Sequence, residues 1–189
     1  MLPNESRPDF SLFFQIIQTL EAIEAPYMVI GAFAAALHGI TRTTYDVDMI
    51  VNLNSQHIAA LVQAFPPPRY YADPVQMRES IRTGTMFNII DTSRGEKADL
   101  IPLTMEVRYY WAFQHRERQT VDVYGLVPFQ IWCARREEII VGKLMAWQEG
   151  DHANTKLTVT RCLFFTTCIL IMFKNPSWTK HTLTNKRTH

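Results

Sequence analysis

The chain is poor in the residues that build disulfide frameworks and zinc sites. It has three cysteines, Cys133, Cys162 and Cys168. An odd number of cysteines without the close spacing of zinc ligands predicts neither a disulfide framework nor a zinc site. With 189 residues, of which 47% are hydrophobic and 12% aromatic, the chain is long and apolar enough for one domain with its own core.

Signals for membrane insertion and export are also scarce. The longest apolar run, 162–173, has twelve residues. A helix that crosses a bilayer needs about 20 apolar residues. Residues 1–9 are polar and include acidic side chains, so we expect no signal peptide. The sequence therefore predicts a cytoplasmic protein with no stable membrane association.

Acidic residues are missing from the last fifth of the chain. Residues 1–151 hold all 18 acidic residues against 13 Lys and Arg, whereas 152–189 hold 6 Lys and Arg and nine of the eighteen threonines. We therefore predict a domain over 1–151 and an atypical basic, Thr-rich tail over 152–189.

Three explanations of this tail are open. The first is a lineage-specific extension whose basic end contacts nucleic acid, and the second is an interfacial or partner-binding segment. The third is a reading-frame change near Gly150 that replaced the original C-terminal helices with unselected sequence. We favour the third explanation because the acidic residues stop at one point.

The motif that points most directly to chemistry is Asp46-Val47-Asp48, within an apolar run. Side chains of a strand alternate between faces, so Asp46 and Asp48 point the same way, with Cα atoms roughly 7 Å apart. Two carboxylates held this close repel each other unless a cation lies between them, and carboxylate oxygens are ligands that Mg²⁺ prefers. The motif thus predicts a magnesium site. The alternative for so short a pattern is that one Asp ends the strand and the other is solvated.

The residues before this motif are suited to binding phosphate. A strand-like run over 27–31 leads through Gly31 into a short helix predicted over 32–38. A helix that begins directly after a strand and a glycine offers backbone N–H groups and its dipole to an anion. Arg42 and Thr44 follow at alternate positions before Asp46. A phosphate receptor, a guanidinium group and a carboxylate pair therefore fall within a short segment.

A third carboxylate is expected on a neighbouring strand. The apolar runs 85–91 and 98–101 are joined by a turn-rich segment with a glycine, which predicts a hairpin. Asp99 lies between apolar neighbours inside the second strand, and we favour it as the third ligand. Asp91 lies at a strand end, where turn chemistry explains it well. Asp122 is a more distant alternative.

Together these motifs resemble the nucleotidyltransferase fold of the DNA polymerase beta superfamily. Within it, the chain is most similar to the small bacterial and archaeal nucleotidyltransferases related to the AbiEii toxin group. The family pattern is a Gly-Gly or Gly-Ser turn, a strand with Asp-x-Asp or Asp-x-Glu, and a third acidic residue on a neighbouring strand; the resemblance covers about residues 12–150. Ala32 stands where the second small residue is usually Gly or Ser. It keeps the close backbone approach but removes a hydroxyl contact to phosphate.

Lys143 extends this resemblance. It lies in a segment whose apolar residues recur at helical spacing. In the related enzymes a lysine of a similar helix reaches the nucleotide. The alternative is a lysine at the edge of an amphipathic helix whose charged end extends into water.

The resemblance implies the residues of the site. The expected catalytic and metal-binding residues are Asp46, Asp48 and Asp99. The expected nucleotide-binding residues are Gly31, Ala32, Arg42, Thr44 and Lys143.

The resemblance also implies the reaction. It is a magnesium-dependent transfer of a nucleoside monophosphate from an NTP to an acceptor hydroxyl, with release of pyrophosphate. Two Mg²⁺ ions are expected, and Mn²⁺ is a substitute. The acceptor is open among RNA, protein and a small molecule. The alternatives are a degenerate, non-catalytic module that binds a nucleotide or partner, and a metal-dependent phosphodiesterase.

The predicted fold class is α+β, a minimal nucleotidyltransferase fold with a mixed sheet flanked by helices. Strands are predicted over 27–31, 46–52, 85–91, 97–101 and 119–124. Helices are predicted over 10–24, 32–38, 55–65, 74–82 and 134–149.

Overall fold

The structure, a computed structural model, describes residues 11–39, 47–105, 107–122 and 128–148. Its strands are β1 (Tyr27–Ile30), β2 (Val47–Val51), β3 (Tyr70–Tyr71), β4 (Phe87–Asp91), β5 (Glu96–Pro102), β6 (Glu117–Val121) and β7 (Phe129–Cys133). Its helices are α1 (Ser11–Ala22), α2 (Gly31–Leu37), α3 (Ser55–Ala64), α4 (Pro74–Thr83), α5 (Val107–Gln114) and α6 (Arg136–Gln148), with a 3₁₀ turn at Leu103–Met105.

The strands form one seven-stranded sheet in the order β3-β4-β5-β2-β1-β7-β6. β2 pairs with β5 and β1 pairs with β7 in parallel, and the remaining neighbours are antiparallel. The sheet is therefore mixed, and helices lie between many of its strands along the chain. The predicted α+β class with a mixed, helix-flanked sheet is confirmed.

The first helix follows from the spacing of its apolar residues. Its buried side chains recur every three or four positions and are Leu12, Phe13, Ile16, Ile17 and Leu20. The backbone N–H of Leu12 donates to Oε2 of Glu96 at 3.2 Å. A carboxylate at this end satisfies a donor that has no partner within the helix and interacts favourably with the helix dipole. Glu96 thus ties the start of α1 to β5.

The β4–β5 hairpin has two chemically different faces. On one face Phe87, Ile89 and Leu100 are completely buried. The opposite face carries Asn88 and Asp99, which are directly opposite each other in the ladder. Strand alternation produces this division, because residues an odd number of positions apart point to opposite faces. Burial of the apolar face determines the register of the two strands. That register in turn sets Asn88 opposite Asp99 on the polar face.

Several elements differ from the sequence prediction. β3, β7 and α5 were not predicted. Gly31 begins α2 instead of ending β1, and its φ of 72° lies in the left-handed region that favours glycine. The N-cap of α3 is Asn54, whose side chain accepts from the backbone N–H groups of Gln56 and His57. Ser55 is the first residue of the helix, as predicted.

The chain divides into two units, 1–139 and 140–189. Of the second unit, the described part is 140–148, which belongs to α6. The predicted boundary between 151 and 152, and the whole Thr-rich tail, lie outside the described residues. Within the described ranges, none of the helices combines the length and apolarity required to cross a bilayer.

Candidate active site

Asp48 and Asp99 face each other across two adjacent strands. They are register partners in the parallel β2–β5 ladder. Neighbouring strands lie about 4.8 Å apart, and register partners point to the same face. Asp99 is buried and Asp48 half-buried. The sheet therefore presents two carboxylates side by side on one rigid surface.

Gly31 lies directly against this pair. A Cβ atom at Gly31 would collide with Oδ2 of Asp48. With a φ of 72° as well, a side chain at this position would be strained and would displace the carboxylate of Asp48. The junction between β1 and α2 therefore comes into close contact with the carboxylate of Asp48. Ala32, the next residue, is buried, with 8% of its surface exposed.

Asp99 is held by two donors of the hairpin. Nδ2 of Asn88 donates to Oδ1 of Asp99, and Nζ of Lys97 lies 3.2 Å from Oδ2. Lys97 is two residues before Asp99 on β5, so their side chains share a face. Both oxygens of Asp99 thus have a partner supplied by the same two-stranded unit.

Asp91 has a different environment. It is 1% exposed and accepts from Nε and Nη2 of Arg69, at 3.1 and 2.9 Å. It also accepts from the backbone N–H and hydroxyl of Ser93. Burial acts to raise the pKa of Asp91, but the hydrogen bonds from Ser93 and Arg69 outweigh burial and hold that pKa below its ordinary value. Three positions separate Asp91 from Asn88, so Asp91 points away from the face that carries Asp99.

Asp122, the other alternative for the third ligand, is exposed and follows the end of β6. β6 is an edge strand, and β7 and β1 lie between it and β2. At about 4.8 Å per strand spacing, this puts Asp122 far from Asp48. Of the three acids considered from the sequence, Asp99 is the one that lies beside Asp48.

Three predicted site residues, Arg42, Thr44 and Asp46, lie outside the described residues. Lys143 lies on α6 in the second unit, with a partly exposed side chain. The roles of these four residues, and those of Gly31, Ala32, Asp48 and Asp99, stay predictions. The structure brings together Gly31, Asp48 and Asp99.

The residues present fit a divalent cation of the magnesium type. Asp48 and Asp99 offer only oxygen donors, which Mg²⁺ prefers over nitrogen and sulfur. In the part of the chain that the structure describes, no group of three or more His, Cys, Asp or Glu side chains comes together as a metal site. The described candidate ligands are therefore the carboxylates of Asp48 and Asp99, Asp46 lies outside the described residues, and the role of all three as metal ligands stays a prediction.

Sequence reasoning missed Asn88 and Lys97. Both carried a usable signal. Lys97 stands two positions before Asp99 in a predicted strand, which places both on one face. Asn88 is a polar residue within the apolar run Phe87-Asn88-Ile89-Ile90. Its pairing with Asp99 depended on the hairpin register, which the turn sequence did not define closely enough.

No protein-family model and no curated protein matches the chain. Among solved structures, the antibiotic-resistance factor ANT(2'')-Ia is similar at 13% identity and a TM-score of 0.48, over 92% of this chain and 92% of that chain. The lincosamide antibiotic adenylyltransferase LnuA, with lincomycin bound, is similar at 10% identity and a TM-score of 0.39, over 79% of this chain and 93% of that chain. At these identities and TM-scores the likeness does not extend to activity or substrate, and the AbiEii relationship stays a prediction.

Proposed function

We propose that the protein is a magnesium-dependent nucleotidyltransferase that moves a nucleoside monophosphate from an NTP to an acceptor hydroxyl. The observation that carries this proposal is the pairing of Asp48 with Asp99 in register on adjacent strands. The proposed catalytic domain is 1–151. Asp46, Asp48 and Asp99 are its proposed catalytic and metal-binding residues.

The position of Gly31 supports a nucleotide as the substrate. An NTP carries several negative charges, and the carboxylate of Asp48 lies against Gly31. A free phosphate at this junction would be repelled by Asp48. A magnesium complex of the nucleotide would not be repelled, because the cation screens the phosphate from the carboxylate of Asp48. We therefore expect Gly31 and Ala32 to contact the nucleotide only as its metal complex.

The proposed reaction is one displacement at the α-phosphorus. The oxygen of the acceptor hydroxyl forms a bond to the α-phosphorus, the bond between this phosphorus and the α–β bridging oxygen breaks, and pyrophosphate leaves with that oxygen. The acceptor proton passes to a carboxylate of the site or to water. Two Mg²⁺ ions, when bound, would lower the pKa of the acceptor hydroxyl and neutralise charge on the leaving pyrophosphate.

The remaining predicted residues supply positive charge and contacts to the nucleotide. Arg42 and Lys143 are proposed to stabilise charge that develops on the phosphates, and Thr44 to contact the nucleotide. None of these assignments identifies the acceptor. RNA, protein and small molecules stay candidates.

The test is a transfer screen with α-³²P-labelled NTPs and Mg²⁺ or Mn²⁺, with total RNA, a protein lysate and a small-molecule fraction as acceptors. We expect label on one acceptor class and an equal amount of pyrophosphate. The control variants are Asp48→Asn and Asp99→Asn, which should lose transfer, and Asp91→Asn, which should retain it.

Other outcomes identify the other candidate functions. Cleavage of a phosphodiester without labelling of an acceptor would indicate a metal-dependent phosphodiesterase. Binding of NTP without any turnover, equal in wild type and in Asp99→Asn, would indicate a non-catalytic binding module. Either result would refute the proposed transferase.

A further inference from the structure

The ammonium group of Lys97 and a metal ion would contact the same carboxylate. Nζ of Lys97 lies 3.2 Å from Oδ2 of Asp99, within ion-pair distance. Asn88 donates to the other oxygen, Oδ1. A divalent cation that binds Asp99 therefore comes close to a positive charge of the same chain.

The backbone keeps this ammonium group near the site. Lys97 and Asp99 are two residues apart on β5, and Lys97 pairs with Ile90 of β4 in the antiparallel ladder. The Cα atom of Lys97 is thus fixed by hydrogen-bonded strands, and only the side chain can move. Because 48% of that side chain is exposed, Nζ has room to leave Asp99 and enter water.

We propose that Lys97 competes with the divalent cation for Asp99 and thereby lowers the metal affinity of the candidate site. The inference rests on the proposed function, because it takes Asp99 as a metal ligand. Like charges on one carboxylate repel each other, so metal binding has to displace the ammonium group or tolerate its repulsion. Asn88 is neutral and takes no part in this competition. It is a positioning residue that holds Oδ1 of Asp99.

The exposure of Lys97 limits the size of the effect. An ion pair with one partly exposed member is weakened by water and by salt. We therefore expect removal of the Lys97 charge to tighten metal binding by about threefold to fivefold at low ionic strength. The effect should shrink as salt is added, because screening weakens the same repulsion.

The experiment measures binding of Mn²⁺ to the full chain, without nucleotide, by electron paramagnetic resonance of the free ion. Wild type is compared with Lys97→Met, which removes the charge, and Lys97→Arg, which keeps it. Arg82→Met is the matched control. Arg82 is also paired with a carboxylate, that of Glu79, but it lies on the exposed surface of α4.

We expect Lys97→Met to bind Mn²⁺ more tightly, and Lys97→Arg and Arg82→Met to stay within about twofold of wild type. Lys97→Gln repeats the test with a polar side chain, and near-ultraviolet circular dichroism checks that each variant is folded.

Unchanged or weaker Mn²⁺ binding in both Lys97→Met and Lys97→Gln would overturn the inference. Tightening of the same size in Arg82→Met would also overturn it, because the effect would then reflect net charge. Absence of Mn²⁺ binding by wild type would instead refute the metal dependence of the proposed function.

Discussion

Asp91 and Asp99 belong to the same hairpin and are both buried, yet their surroundings differ. Asp91 points to one face, where Arg69 and Ser93 saturate it with hydrogen bonds. Asp99 points to the other face, beside a second carboxylate, that of Asp48. The first arrangement neutralises a buried charge within the protein. The second places two carboxylates beside one partly exposed ammonium group, that of Lys97, and a divalent cation is a suitable further partner for the two carboxylates.

Burial and hydrogen bonding do not by themselves distinguish the proposed catalytic acid from a structural one. By those two criteria Asp91 is the stronger candidate, since it is less exposed and has more donors. The distinguishing features of Asp99 are its register partner and the glycine that lies against that partner. A buried acid therefore has to be assessed together with what its neighbouring strands place beside it.

The largest expected effect is on activity. Asp48→Asn or Asp99→Asn should lower transfer by about 1,000-fold or more, because each removes a ligand charge from the proposed metal site. Asp91→Asn should change the rate by less than about threefold once its lower stability is taken into account. The measurement is the initial rate of label transfer at saturating Mg²⁺.

The same variants give opposite results in a stability measurement. Asp48→Asn removes one of two neighbouring charges and should leave the melting temperature without metal unchanged or raised, whereas Asp91→Asn should lower it. If Asp91→Asn abolished transfer while Asp99→Asn did not, the contrast between the two acids would be reversed and the site assignment would be wrong.

The second expected effect is on folding. Asp91→Ala should lower the free energy of unfolding by about 2–4 kcal/mol, because it leaves buried donors of Ser93 and Arg69 without their acceptor. Arg69→Ala should cost less, since 49% of the Arg69 side chain is exposed and water replaces part of its contact. Urea unfolding of both variants provides the measurement. An Asp91→Ala variant as stable as wild type would contradict the structural role of this acid.

The smallest expected effect is on how the free energy of unfolding depends on pH, and it is confined to acidic pH. The pKa of Asp91 is lowered in the folded protein, whereas an Asp in an unfolded chain has a pKa of about 3.9. The stability contributed by the ionised carboxylate is therefore complete above that value and is lost as the pH falls through the folded pKa.

The difference in unfolding free energy between wild type and Asp91→Asn should thus be constant at neutral pH and shrink below about pH 4. Urea titrations of the two proteins between neutral and strongly acidic pH measure it. A difference that grew on acidification would mean that the carboxylate is not stabilised in its ionised form.

Much of the fold was predictable because local patterns agreed with it. The apolar face of α1 has helical spacing, and β2 and β5 are short apolar runs with an Asp inside each. For Asp91, the position at a strand end before Thr92 and Ser93 already indicated turn chemistry, and Ser93 supplies two of its hydrogen bonds. These features depend on residues within a few positions of one another.

The elements that were missed depend on distant parts of the chain. β7 is only five residues long and pairs in parallel with β1, which is about a hundred positions earlier. α5 contains Tyr109, Tyr110 and Trp111, aromatic residues with modest helix propensity, and so gave no clear helical signal. The contact of Asn88 with Asp99 likewise required the hairpin register, which no local pattern defined, whereas Lys97 lies two positions before Asp99 on the same strand.

The strand register that pairs Asp48 with Asp99 also determines which side chains of β5 are buried in the core. A mutation that changes this register therefore affects the candidate site and the core together. A single-residue insertion or deletion within β5 would exchange its two faces and bring Leu100 or Ala98 to the position opposite Asp48. The same shift would turn polar residues towards the buried face and destroy the packing of the sheet. Insertion or deletion of one residue in this strand is therefore expected to abolish both folding and the proposed metal binding, whereas point substitutions can separate the two. Among natural variants, an intact fold that has lost the site should carry substitutions at Asp48 or Asp99, and not length changes in β5.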